Sequence, residues 1–219
     1  MSDEINQPAR FQPTDEQRRL QDAIRVINPN LVSRAYWEGN ELWSIDLSSR
    51  SIGDQELAVL SPLMEPPRTL VLQLQHSVAS DEGLQSLRSL TNLVQVDFGR
   101  KISDAGVVHL AELTALQRLT FFGSKLIDEA LRHLSGLRGL TRLNLECKKV
   151  TDAGMIHLRG LTNLEFLNLR ETKVSDIGLR ELYGLNKLKE LFIRGPRITE
   201  IGVDEIRRAI PGLEVSRWP

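Results

Sequence analysis

The sequence has few of the residues that mark several large classes of protein. Its only cysteine is Cys147, so no disulfide can form within the chain and nothing marks a secreted protein. The formal net charge of −1 does not supply the basic surface that nucleic-acid binding requires. No apolar run is long enough to span a bilayer, and the first residues lack the pattern of a signal peptide. We therefore expect a cytoplasmic protein that binds neither nucleic acid nor membrane.

Aromatic residues are also scarce, at 5% of the 219 residues, whereas hydrophobic residues make up 41%. A chain of this length and composition can bury a substantial core, which must then be mainly aliphatic. Leucine supplies that core, and it recurs at a fixed spacing.

The spacing reveals internal repeats. Segments 113–136, 137–160 and 161–184 are each 24 residues long, and their apolar positions coincide without a gap. A further unit starts at Leu185, segment 90–112 fits with one residue missing, and two looser units surround Ile45 and Leu72. Seven units therefore cover residues 39–208.

Each unit combines a strand pattern with a helix pattern. The segment LxxLxL alternates apolar and polar residues, which predicts a short strand with one buried face. A recurrent acidic residue then precedes an apolar pattern of helical spacing, and we expect it to cap a short helix by accepting its free N–H groups. Glycines in the first helical turn should let neighbouring coils approach closely. The acidic residues are Asp54, Asp81, Asp104, Asp128, Asp152, Asp176 and Glu200.

Stacking of these units predicts an α/β solenoid, a curved right-handed superhelix. Strands stack about 4.8 Å apart and helices pack about 8–10 Å apart, so parallel strands should line the concave face and short helices the convex face. The predicted organisation is a flexible N-terminus (1–13), an N-terminal cap of a helix plus a hairpin strand (14–38), seven leucine-rich repeats (39–208) and a C-terminal cap (209–219).

The units resemble those of bacterial leucine-rich-repeat proteins with the consensus LxxLxxLxLxxTxVTDAGLxxLxG. LNLECKKVTDAGMIHLRG (143–160) and LNLRETKVSDIGLRELYG (167–184) carry the resemblance, and the VTDAGL segment is also similar to repeats of F-box-associated leucine-rich proteins. The resemblance implies a solenoid that mediates protein–protein contacts, without naming a partner. Nothing in residues 1–30 resembles an F-box, so no ubiquitin-ligase role is expected. The consensus threonine remains only as Thr172, with Ser77 and Ser124 as near equivalents, which predicts an incomplete side-chain ladder.

Strand register predicts which side chains face the hollow. The last four coils place arginines and exposed aromatic residues there, the residue types that are enriched at protein interfaces. This surface is the predicted partner-binding site, although its side chains could instead merely solvate the sheet, and the phenylalanines could pack against one another. The predicted site residues are Arg118, Phe122, Arg142, Glu146, Phe166, Arg170, Phe192 and Arg194.

Catalytic and metal chemistry is not expected. His109, His133 and His157 occupy equivalent helix positions, but coils about 8–10 Å apart cannot bring them to the zinc–nitrogen distance of about 2.1 Å. Cys147, expected at the concave rim, has no histidine nearby in register to activate it. We predict a non-catalytic protein-binding module without cofactor, monomeric on its own. A structural or self-assembling role and a small-ligand binder or enzyme remain the alternatives.

Overall fold

The computed structural model describes residues 35–38, 41–48, 52–58 and 70–218, together with the single positions 18, 22 and 25. The predicted flexible N-terminus (1–13) lies outside the described residues. Of the predicted N-terminal cap (14–38), the structure describes the strand 35–38 and the three single positions, which are helical.

The described strands form one nine-stranded sheet in which every strand pairs with its neighbours in sequence. The first two strands pair antiparallel, with Glu38 opposite Glu41 where the sequence predicts a hairpin, and all later pairs are parallel. The strands are β1 (Ala35–Glu38), β2 (Glu41–Asp46), β3 (Leu70–Leu74), β4 (Leu93–Phe98), β5 (Arg118–Phe122), β6 (Arg142–Glu146), β7 (Phe166–Asn168), β8 (Glu190–Arg194) and β9 (Glu214–Trp218).

A short helical segment follows each of the strands β2 to β8, and in all but one case it begins at the recurrent acidic residue. The α-helices are α1 (Asp54–Ala58), α2 (Asp104–Val107), α3 (Asp128–Leu134), α4 (Asp152–Met155), α5 (Asp176–Arg180) and α6 (Glu200–Ala209). Tighter 3₁₀ segments span Gly83–Ser89, Val108–Leu110 and Ile156–Leu158. Parallel strands that alternate with short helices confirm the predicted leucine-rich-repeat solenoid.

The strand register reproduces the repeat length. Leu119 lies opposite Leu143, Leu143 opposite Leu167, and Leu167 opposite Leu191, which is a step of 24 residues each time. The step from Val96 to Leu119 is one residue shorter, as the sequence predicts. These side chains are all buried, and they form one column of a continuous aliphatic core that runs from coil to coil.

The acidic residues have a different role from the one predicted. The Asp152 carboxylate accepts hydrogen bonds from the next coil: from Ser175 N (2.7 Å), Ser175 Oγ (2.6 Å) and Gly178 N (3.1 Å). The cap of α5 is Ser175 itself, whose hydroxyl accepts from Ile177 N. The prediction that each acidic residue caps its own helix is therefore wrong for Asp152, which instead bridges two coils.

The same bridge recurs along the solenoid. In each case the carboxylate of one coil accepts the backbone N–H and the side-chain hydroxyl of the residue just before the acidic residue of the next coil. These pairs, which we call aspartate bridges, are Asp54–Ser80, Asp81–Ser103, Asp128–Thr151, Asp152–Ser175 and Asp176–Thr199.

The bridges explain the glycines of the first helical turn. A Cβ atom added to Gly178 would lie 2.5 Å from Asp152 Oδ1, closer than real Cβ contacts allow, so only glycine leaves room for the carboxylate. One junction departs from this pattern. Ile127 replaces the hydroxyl residue and Ala130 replaces the glycine, and Asp104 accepts only the Ile127 N–H (2.9 Å). That junction has the weakest bridge among the coils that the structure describes.

Candidate protein-binding surface

The predicted site residues lie on one face of the sheet. Arg118 lies opposite Arg142, and Arg142 lies opposite Phe166 on the next strand. Phe122 lies opposite Glu146. Side chains alternate between the two faces of a strand, and the intervening residues of these strands are buried, so the predicted set faces outward on the concave side. Its role in binding a partner stays a prediction.

Two of the phenylalanines form a cluster with two arginines. The rings of Phe166 and Phe192 lie 5.1 Å apart, centroid to centroid, at a tilt of 40°. The guanidinium carbon of Arg142 lies 4.0 Å from the Phe166 ring centroid, and that of Arg170 lies 4.9 Å from the Phe192 centroid. We call these four side chains the arginine–phenylalanine stack.

The stack corrects one sequence prediction. The sequence predicts Phe166 and Phe192 as exposed aromatics, but each is half-buried and is shielded by its neighbours in the stack. The alternative interpretation, in which phenylalanines pack along neighbouring coils, describes this pair. Phe122 is a more exposed aromatic, with 40% of its surface accessible. Of the three aromatic rings on this surface, those of Phe166 and Phe192 therefore lie in cation–π contacts with arginines.

Carboxylates neutralise part of this positive surface. Glu190 Oε1 lies 3.9 Å from Arg142 Nη1, and Glu171 Oε1 lies 3.4 Å from Arg194 Nη1. Glu171 Oε2 also lies 3.8 Å from Lys148 Nζ. The backbone of Glu171 has a positive φ of 61°, a conformation that is unfavourable for residues other than glycine. Sequence reasoning omitted Glu171 from the site because a turn residue has no strand register.

A shallow pocket of about 250 Å³ opens beside the stack. Arg118 and Arg142 contribute its charged groups, and Phe166 contributes an aromatic wall. Its other lining residues are Gln95, Leu119, Thr120 and Asn144. The Asn144 side-chain oxygen is buried and has no hydrogen-bond partner among the described residues, so the polar lining of the pocket is not saturated.

Two buried polar residues of the sheet, Asp97 and Asn168, have hydrogen-bond partners within the chain. Asp97 is buried, and its Oδ2 accepts hydrogen bonds from Gln75 Nε2 (3.3 Å) and Gln95 Nε2 (3.1 Å). Asn168, also buried, donates to Glu146 Oε1 (2.9 Å) and accepts from the Arg170 backbone N–H (2.9 Å). Glu146 thus orients a neighbouring amide. Strand register places Asp97 and Asn168 on the concave face, but it does not predict that they are buried.

Cys147 is buried, and the prediction that it lies at the concave rim is wrong. Its Sγ lies 3.9 Å from the Phe121 carbonyl oxygen of the preceding coil, a contact that parallels the Ser124 hydroxyl bonding to the Gly99 carbonyl oxygen at 2.7 Å. Burial, reinforced by the nearby Glu146 carboxylate, raises the pKa of the thiol to about 12. A thiol that remains protonated at neutral pH is a poor nucleophile.

His109, His133 and His157 lie on the helical side of the solenoid, whereas His76 lies in the turn after β3. Burial and the nearby Arg88 lower the pKa of His109, although Asp81 opposes the shift, and its Nδ1 has no hydrogen-bond partner among the described residues. In the part of the chain that the structure covers, no group of three or more His, Cys, Asp or Glu side chains is arranged to hold a metal ion. Within the same residues, no helix has the length and apolar character needed to cross a membrane.

Comparison with known proteins agrees with this architecture. The family model described as "Leucine rich repeat" matches residues 138–198, which include β6, β7 and β8. The crystal structure of internalin C2 from Listeria monocytogenes is similar to most of the chain, with a TM-score of 0.65 and 20% sequence identity over 90% of this chain and 81% of that one. No curated protein sequence matches the chain. At this level of identity the likeness is one of fold.

Proposed function

We propose that the protein is a non-catalytic interaction module that binds a partner protein along the C-terminal half of its concave face. The arginine–phenylalanine stack is the observation that carries the proposal. Arginine and aromatic side chains dominate the binding energy of protein interfaces, because they combine a large contact area with directional hydrogen bonding. Here they lie together on the C-terminal coils, on one continuous surface.

The stack is suited to binding because its side chains are already ordered. Immobilising one flexible side chain at an interface costs about 0.5–1.5 kcal/mol. Arg142 and Arg170 rest on aromatic rings, and the two rings rest on each other, so a partner would meet a surface with much of this ordering already done. The exposed ring of Phe122 extends the apolar area toward β5.

The proposal is tested with two triple variants, one altered on the concave face and one altered away from the sheet. Only the concave variant should lose partner binding. The concave variant is Arg142→Glu/Phe166→Ala/Arg170→Glu. The matched control makes the same kinds of change on exposed residues away from the sheet, as Arg138→Glu/Ile156→Ala/Arg208→Glu. Wild type and both variants are compared by affinity capture from the source-cell lysate, read by quantitative mass spectrometry.

We expect a protein that wild type and the convex control retain and that the concave variant loses. Thermal unfolding of all three proteins comes first, because Phe166 is half-buried and its removal must leave the solenoid folded. Equal recovery by the folded concave variant would place binding on the convex helices or the caps and would contradict the proposal. A cytoplasmic location and a monomeric state are further parts of the proposal, which fractionation and light scattering test.

A further inference from the structure

Arg118 differs from the other arginines of the concave face. Arg142 and Arg170 cover phenylalanine rings, and Arg194 lies close to the Glu171 carboxylate. The Arg118 side chain is exposed, and its guanidinium forms no hydrogen bond or ion pair with any residue that the structure describes. Its guanidinium therefore keeps its full set of donors for a group from outside the chain.

The position of Arg118 leaves a positive charge unbalanced. It lies directly opposite Arg142 on the neighbouring parallel strand. Neighbouring strands are about 4.8 Å apart, so the two positive side chains start close together and repel each other. Glu190 lies within ion-pair distance of Arg142, whereas the nearby Asp97 carboxylate accepts hydrogen bonds from the amides of Gln75 and Gln95. An anion bound between the two arginines would remove the repulsion.

The pocket between these arginines has the size and lining expected of a site that binds one side chain of a partner protein. Its volume of about 250 Å³ is below the usual range of small-molecule pockets, which begins at about 300 Å³. Thr120 and Asn144 provide uncharged polar groups, and Phe166 provides an apolar wall. This combination suits one acidic side chain with an apolar neighbour in the same segment.

We propose that the pocket receives the carboxylate of an aspartate or glutamate in a segment of the partner protein, with Arg118 and Arg142 donating hydrogen bonds to its oxygens. This inference rests on the proposed function and names the chemistry of its partner. Arginine binds carboxylates with directional, charge-assisted hydrogen bonds. The apolar neighbour of the bound acid would pack against Phe166.

The surrounding charges favour a single carboxylate over a polyanion. Glu146 and Glu190 lie on the same face as the two arginines, and the chain as a whole carries a formal net charge of −1. A nucleic acid or a multiply phosphorylated segment would extend its negative charge over these carboxylates and would be repelled. A single acidic side chain would place its charge in the pocket lined by Arg118 and Arg142, with Glu190 near Arg142 alone.

Selection of peptides from a random displayed library on the full chain tests the inference, and it works while the partner is still unidentified. We expect enriched peptides to contain an acidic residue beside an apolar one. Fluorescence anisotropy then measures their affinity for wild type, for Arg118→Gln and for the control Arg138→Gln, which removes an exposed arginine elsewhere.

The expected result is a coupled loss. Arg118→Gln and replacement of the acidic peptide residue by its amide should each weaken binding by about 10-fold or more, and the two losses should not add, because both remove the same interaction. Arg138→Gln should leave the affinity unchanged. Arg118→Glu should instead select peptides that carry a lysine or arginine at the acidic position.

Other outcomes would overturn the inference. Peptides that bind without an acidic residue and are lost in the concave triple variant would contradict it while leaving the proposed function standing. An oligouridine RNA or a phosphopeptide that binds more tightly than the acidic peptides, and does so through Arg118, would contradict the choice of a carboxylate. A selection that yields no peptide bound to the concave face would also count against the inference. Capture of the partner protein by the concave triple variant, at the level seen for wild type, would contradict the proposed function itself.

Discussion

Replacing Asp152 by alanine should weaken the junction between two coils far more than the same change at Asp104. Asp152 accepts three hydrogen bonds from the next coil, from Ser175 N, Ser175 Oγ and Gly178 N. Asp104 accepts one, from Ile127 N, at an exposed site. Both aspartates begin their helices, so the loss of a favourable charge at the helix N-terminus is common to the two substitutions and cancels in the comparison.

The magnitudes follow from the hydrogen bonds that each carboxylate accepts. A hydrogen bond to a charged group contributes about 1.5–3 kcal/mol, and neighbouring bonds are not additive. We therefore expect Asp152→Ala to lower the free energy of unfolding by about 3–5 kcal/mol and Asp104→Ala by about 1–2 kcal/mol. Ser175→Ala, which removes only the hydroxyl from the bridge, should cost about 1 kcal/mol.

Urea unfolding followed by circular dichroism measures the three losses. Because a solenoid can unfold in parts, hydrogen exchange should accompany it. The amides that depend on the bridge, those of Ser175 and Gly178, should lose protection selectively in Asp152→Ala. Equal destabilisation by Asp152→Ala and Asp104→Ala would refute the bridging role and would return these aspartates to an ordinary helix-capping one.

Three further predictions concern single residues. Glu171→Gly should be more stable than Glu171→Ala by about 1 kcal/mol in thermal or urea unfolding. Both variants lose the ion pairs, but only glycine relieves the strain of the positive φ. Equal stabilities of the two variants would contradict this. Cys147 should react with a thiol reagent only as fast as the protein opens, since its thiol is buried with a pKa of about 12; rapid labelling of the native protein would disagree. The pKa of His109 is lowered in the folded state, so the unfolded state binds more protons as the pH falls through about 6.5, and stability should decrease there. His109→Gln should reduce that decrease, and an unchanged pH profile would argue against it.

The sequence was sufficient to predict the repeat and the face that each strand residue occupies. Both follow from fixed periods: a strand alternates every second residue, and equal coil lengths place Leu119, Leu143 and Leu167 in one column. The outward position of Arg118 and Arg142 follows from the same register. The contacts between Phe166 and Phe192 do not, because they depend on the direction that each side chain takes along the sheet.

The aspartate bridges were not predicted, although the sequence carries a signal for them. In each coil that donates to a complete bridge, a hydroxyl residue directly precedes the acidic residue and a glycine follows two positions after it. Both features are lost together at Ile127 and Ala130. Helix capping alone would require neither the glycine nor this joint loss. The burial of Cys147 had no such signal, because the residue lies just after β6, where the alternation of the strand no longer applies.

The bridges also set a rule for changing the number of coils. Each carboxylate needs only a hydroxyl, an N–H group and a glycine at fixed positions in the unit that follows. The bridge is therefore not specific for one particular neighbouring unit. Deleting the complete 24-residue unit that contains Ile127 and Ala130 would place Asp104 against Thr151 and Gly154. The shortened chain would keep its strand register and acquire a complete bridge where the present one has a single hydrogen bond. Gain or loss of whole units is therefore a route by which a gene of this kind can vary the length of its binding surface without a new fold.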